Sequence, residues 1–242
     1  MDNNKTSKKD FPVDSTVSFR NPFSDLLYGR FRKELFVTDK LLKGNPDADL
    51  NVSGTIILSN KIDDNNYMIQ TTSFGGYNDI INTLTISMLN EFKATAPTSS
   101  VEERKEAYNS LVECFFSLAI NRLFDDDTEP IVNKSLNVDE LYYMFRTNLI
   151  KAYNEPNKQS NKSGVILLSD KQKEPDSPTE FHMNHVVFGN TDDVIMSLMV
   201  VIIEKLKSNI KSEDPEAKGK ILTSYMNFLI PSANEDLLDY TE

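Results

Sequence analysis

One cysteine, two histidines, eight glycines and no tryptophan in 242 residues leave little material for several kinds of chemistry. Cys114 has no partner for an intrachain disulfide and no companions for a thiolate metal cage, which fits a reducing compartment. No run approaches the roughly 20 apolar residues of a membrane-spanning helix. The longest, Val194–Ile203, is interrupted by Ser197 and followed by Glu204-Lys205. Residues 1–10 are polar and no apolar stretch follows them, so a secretory leader is not expected. Positive charge is also scarce. The 26 Lys and Arg stand against 37 Asp and Glu, a formal net charge of −11, and such a field repels phosphate backbones. These absences point to a soluble protein, cytoplasmic in the producing cell, with no membrane and no direct nucleic-acid partner.

Core-forming material is present in ordinary measure. With 39% hydrophobic residues the chain can bury a core without a disulfide staple. Its length exceeds the roughly 100 to 150 residues of one typical domain, so two compact units are expected.

The strongest feature is an internal repeat. Residues 51–61, NVSGTIILSNK, return as NKSGVILLSDK at 161–171, with seven positions identical at an offset of 110. Tyr67 to Gly75 aligns with Phe181 to Gly189 at an offset of 114, and the register continues through Asp79/Asp193, Leu84/Leu198 and Lys93/Lys207. Upstream, Leu27, Phe31 and Leu35 correspond to Leu141, Phe145 and Leu149. Downstream, Leu111, Phe115 and Leu118 correspond to Ile221, Tyr225 and Phe228.

Local chemistry reads alike in both copies. Two β-branched or aliphatic runs, the second ending in Phe-Gly, predict a β-hairpin. Asn78 or Thr191 is then placed to cap a helix with acids in its first turn. Residues 194–203 are apolar almost all round, so that helix has to be covered on two sides, by its own domain or by a partner. The unit is α-β-β-α-α. The expected fold class is α+β, a tandem duplication with pseudo-twofold symmetry and an extended N-terminal arm. The expected divisions are residues 1–24 for the arm, 25–128 for the first repeat and 138–242 for the second. Because an isolated hairpin is marginal, the two hairpins are expected to share one sheet.

Candidate chemistry reduces to structure at each place. His182 and His185, three apart on a strand, point to opposite faces and make no metal or acid–base pair. Phe74-Gly75-Gly76 and Phe188-Gly189-Asn190 lie where phosphate loops occur, yet neither nucleotide-binding glycine pattern is present, and Asp79, Asp192 and Asp193 would repel phosphate. Asp125–Asp127 lacks the calcium-loop spacing. Cys114 sits among Leu111, Val112, Phe115 and Phe116 and reads as a small hydrophobe. No catalytic residue, cofactor or metal ligand is assigned.

Phe11, Val13, Val17, Phe19 and Phe23 punctuate an arm containing Pro12 and Pro22. Such aromatics dock in grooves on other subunits, and Phe11, Phe19 and Phe23 are the expected partner-binding residues. Abundant Asn beside Lys is similar to the usage of AT-rich bacterial or bacteriophage genomes. The expected function is therefore a non-enzymatic structural or assembly protein of a bacteriophage virion, holding other protein subunits in a homo- or hetero-oligomer. The alternative is an acidic binding protein or inhibitor that captures a basic partner. The third reading is an enzyme with a site between the repeats, where Asp79 would approach Asp193.

Overall fold

The computed structural model describes residues 22–45, 48, 50–63, 67–96, 100–124, 132–133, 137–155, 160–172, 180–210 and 214–238. Alternating side chains carry the two apolar faces of each central strand. On β1 (Val52–Lys61), Ile57 points to one side and Ile56 and Leu58 to the other; on β4 (Lys162–Gln172), Val165 and Leu167 oppose Ile166 and Leu168. All seven are buried, which explains why these strands read as nearly unbroken apolar runs. Each strand turns back into a neighbour, β2 (Tyr67–Phe74) or β5 (Glu180–Phe188). The hairpins join through antiparallel β1 and β4, as the sequence leads one to expect, and β3 (Val132–Asn133) adds a parallel edge. The strand order is β3-β2-β1-β4-β5.

The fold is α+β, a mostly antiparallel sheet between helical layers. One face carries α1 (Pro22–Gly44) and α4 (Val138–Asn154), which press Leu27, Phe31, Leu141, Phe145 and Leu149 onto the sheet. The other carries α2 (Tyr77–Thr95) and α5 (Thr191–Ser208), and these are covered by α3 (Val101–Phe124) and α6 (Pro215–Leu238). Helix α5 packs against the sheet, α2, α3 and α6, so Val194 to Ile203 is enclosed by this chain itself. Both cores draw on residues from 25–128 and from 138–242.

The central register is reciprocal. Ile56 pairs with Ile166, its own equivalent at an offset of 110, while Val52 pairs with Asp170 and Asn60 with Lys162. Lys61 N donates to Asn161 O and Lys171 N donates to Asn51 O, both at 2.7 Å.

Three local expectations are corrected. The helix caps are Gly76 and Asn190, not Asn78 and Thr191, because the chain turns at Gly75 and Gly189 with φ of 114° and 105° and enters the helix at once. The Asn190 side chain accepts from Asp192 N, whereas Gly76 offers no side chain. Residues 22–24, assigned to the arm from sequence, form the first turn of α1, where Pro22 starts the helix. Cys114 is exposed, because the buried stripe of α3 runs through Tyr108, Leu111, Phe115, Ala119 and Leu123 and leaves it on the outer side.

Candidate interaction surface

The residues shared by the two repeats are used in holding the molecule together. Phe31 meets Phe74 edge-on with ring centroids 4.9 Å apart, and their equivalents Phe145 and Phe188 do so at 5.0 Å. Tyr28 stacks on Tyr142 at 3.6 Å and 4°. The Tyr28 hydroxyl donates to Asp139 and the Tyr142 hydroxyl to Asp25, while Arg32 and Arg146 bridge to those same acids at 2.9 and 3.2 Å. Burial, reinforced by the carboxylate each phenol faces, raises the pKa of both tyrosines well above the usual range.

Across the opposite face of the sheet, Lys171 reaches Asp79 at 3.3 Å and Lys61 reaches Asp193 at 3.9 Å, each tie running from one repeat to the other. The Tyr67 hydroxyl also donates to Asp193 at 2.9 Å; Phe181, the equivalent of Tyr67, has no hydroxyl to give Asp79. Lys61 and Lys171 end antiparallel strands, so their partners Asp193 and Asp79 sit toward opposite ends of the sheet. The Asp79–Asp193 pairing offered from sequence is not made. Asp193→Ala should cost about 1 to 3 kcal/mol in urea unfolding, because it removes the acceptor of the buried Tyr67 hydroxyl and the acid facing Lys61. Asp193→Asn, which keeps an acceptor, should cost less than Asp193→Ala. A loss of only a few tenths for the alanine variant would refute the tie.

The other sequence candidates are scattered. His185 stands 3.9 Å from Glu91, whose carboxyl is raised by burial against an opposing pull from the histidine. His182 pairs in register with Asp170 on the far end of the strand. Among the described residues, no group of His, Cys, Asp or Glu is arranged to hold a metal ion, and no helix is long and apolar enough to cross a membrane. Asp125–Asp127, Phe11 and Phe19 lie outside the described residues. Phe23 is on the first turn of α1 and is 44% exposed.

Phe23 belongs to a feature that sequence reasoning did not isolate. Leu26 and Phe36 are 71% and 70% exposed on the side of α1 turned away from the sheet, and Val37 and Leu41 flank them. Their spacing follows the helical period, a signal obscured in sequence because the inward stripe of Leu27, Phe31 and Leu35 is interleaved with it. Between them Gly29 leaves a notch, with nothing within 4 Å of where its Cβ would stand. A mid-helix glycine costs about 1 kcal/mol relative to alanine, and no turn or close approach explains this one. The notch opens into a groove of about 740 Å³ lined by Gly29, Arg32, Lys33, Phe36, Val138 and Asp139.

Helix α4 holds the equivalent place on the sheet with a more polar outer face, on which Tyr143 and Met144 are exposed and Ile150 stands in the place of Phe36. Glu140, Tyr143, Lys151 and Glu155 stand where α1 has Leu26, Gly29, Val37 and Leu41. Matching inward residues seat both helices, so packing on the sheet does not require the outward apolar residues of α1. No protein-family model matches the chain, and no curated protein or solved structure matches it.

Proposed function

We propose that this chain is a non-enzymatic assembly protein, a tandem duplication of one α-β-β-α-α unit about a pseudo-twofold axis. It joins neighbouring protein subunits through the face of α1 and the segment before it, within a bacteriophage particle. The observation that carries the reading is the unequal treatment of two equivalent helices. Both halves make the same demands on the core, as the reciprocal Tyr28/Tyr142 and Phe31/Phe145 contacts reflect. Among the described residues, Leu26 and Phe36 of α1 are the most exposed of the large apolar side chains, where leaving them in water gains nothing. The matched residues supply turns, packing and ion pairs, which supports a scaffold over a catalyst.

Light scattering on the full chain tests the reading. The parent should assemble, and Leu26→Asp with Phe36→Asp should weaken assembly by roughly two to four powers of ten, since each buried side chain contributes about 1.5 to 3 kcal/mol. Its unfolding transition should not move, because neither side chain packs in the core. A parent that remains monomeric at high concentration, alone and with candidate subunits, would count against assembly as the function.

A further inference from the structure

We infer that the outer edge of β5 is the docking site for residues 17–20 of this same chain, which add to the sheet there as a short strand parallel to β5. The pairing stands whether or not the chain assembles with others. Residues 17–20 lie outside the described residues. Their place is read from β3, an element that the structure does describe.

β3 crosses from one repeat to the other. It leads into α4, the first helix of the second repeat, yet it pairs in parallel with β2 of the first, Val132 beside Ile69 and Asn133 beside Gln70. Helix α4 crosses with it, packing against β1 and β2 as well as β4. Its counterpart α1 makes the counterpart contacts, against β4 and β5 as well as β1. Strand β5 therefore stands to α1 as β2 stands to α4. The edge of β2 is filled by β3, whereas among the described residues no strand pairs with the outer edge of β5.

The offset of 114 that relates α1 to α4 identifies the strand that fits. It holds in three dimensions at the start of both helices, where Asp25 and Asp139 accept reciprocally from Tyr142 and Tyr28. Carried back six residues from Asp25, it sets Ser18-Phe19 in the place of Val132-Asn133, beside Met183 and Asn184. The flanking residues agree in type, Val17 answering Ile131 and Arg20 answering Lys134. Because α1 begins at Pro22, Arg20 and Asn21 are left as the connection, within the roughly two to six residues usual between a strand and a helix. An unpaired edge offers a row of N–H and C=O groups to any passing strand, and this pairing closes the second margin of the sheet as β3 closes the first. It also fixes the point from which residues 1–16, with Phe11 and Val13, leave the body.

Amide hydrogen exchange on the full-length protein reads the pairing. In the parent, the alternate amides of β5 that face away from β4 should be protected. Replacing Ser18 and Phe19 together by Pro removes the N–H of this strand whichever of the two residues donates it. Those β5 amides should then exchange at least about tenfold faster, the equivalent of one hydrogen bond. Amides of β4 should keep their rates, since the rest of the sheet is untouched. Outward amides of β5 that exchange in the parent as fast as in an open chain overturn the inference. Protection that the prolines leave in place overturns it too, because the edge then belongs to another segment. Phe19→Cys with Asn184→Cys, in a Cys114→Ser background, identifies the owner of the strand through a short bis-maleimide. A link within one chain at high dilution is expected, and a link formed only between chains overturns the assignment to the same chain.

Discussion

Gly189→Ala and Gly75→Ala should each destabilise the protein by roughly 3 to 5 kcal/mol, measured as the shift of the urea midpoint at constant slope. Two costs combine at each position. With φ of 105° and 114°, the backbones occupy a region that an L side chain enters only under strain. An added Cβ would also stand 2.6 Å from Ser163 Cβ and 2.7 Å from Ser163 Cα at Gly189, or 2.5 and 2.7 Å from the same atoms of Ser53 at Gly75. Those serines are buried in the central strands and have no room to retreat. Gly76→Ala is the control. Its φ is −65°, and the nearest contact, 2.8 Å away, is the Asp79 carboxylate, which can swing aside. Comparable costs at Gly76 and Gly189 would show that the turn does not depend on glycine.

Phe31→Ala and Phe145→Ala should each cost about 3 to 5 kcal/mol, the range for emptying a fully enclosed aromatic site. Both rings are wholly buried, and each meets its partner on β2 or β5 edge-on. The rings lie so close to Gly54 and Gly164 that they occupy the space a side chain would take. A Cβ on Gly54 would approach Phe31 to 2.8 Å and Phe74 to 2.6 Å, and one on Gly164 would approach Phe145 to 3.0 Å and Phe188 to 2.5 Å. Overpacking is therefore coupled to the cavity. Gly54→Ala should cost about 1 to 3 kcal/mol alone and distinctly less in the Phe31→Ala background. Strict additivity in that cycle would mean that ring and glycine do not share the space.

These positions show what could be read from sequence. Phe74-Gly75 and Phe188-Gly189 mark the strand-to-helix turns in sequence, because a conformation needing glycine leaves a glycine behind. The caps fell one or two residues from expectation because the left-handed turn, not the first polar side chain, decides where the helix begins. Pro22, assigned from sequence to the arm, is the first residue of α1, where its missing N–H costs nothing. Cys114 was misplaced because a helical face one position wide separates it from buried Phe115. β3, only two residues long, has no period to detect. The outer face of α1 stayed hidden because an exposed apolar residue and a buried one look alike in a sequence.

By itself the sequence determined the order of the elements other than β3, the run of residues that recurs in the two halves, the alternation that puts Ile56 and Ile57 on opposite faces, and the need for cover on two sides of Val194–Ile203. These follow from periodicity and backbone preference, which act over a few residues. Only the tertiary structure decided that β1 pairs with β4 in a register that sets Ile56 against Ile166, that Asp79 and Asp193 are answered by lysines of the opposite repeat, and that Leu26 and Phe36 are left uncovered. Strand edges carry the same N–H and C=O groups whatever their side chains, so which edges meet is chosen by the burial of whole faces at once, and that sum is taken in three dimensions.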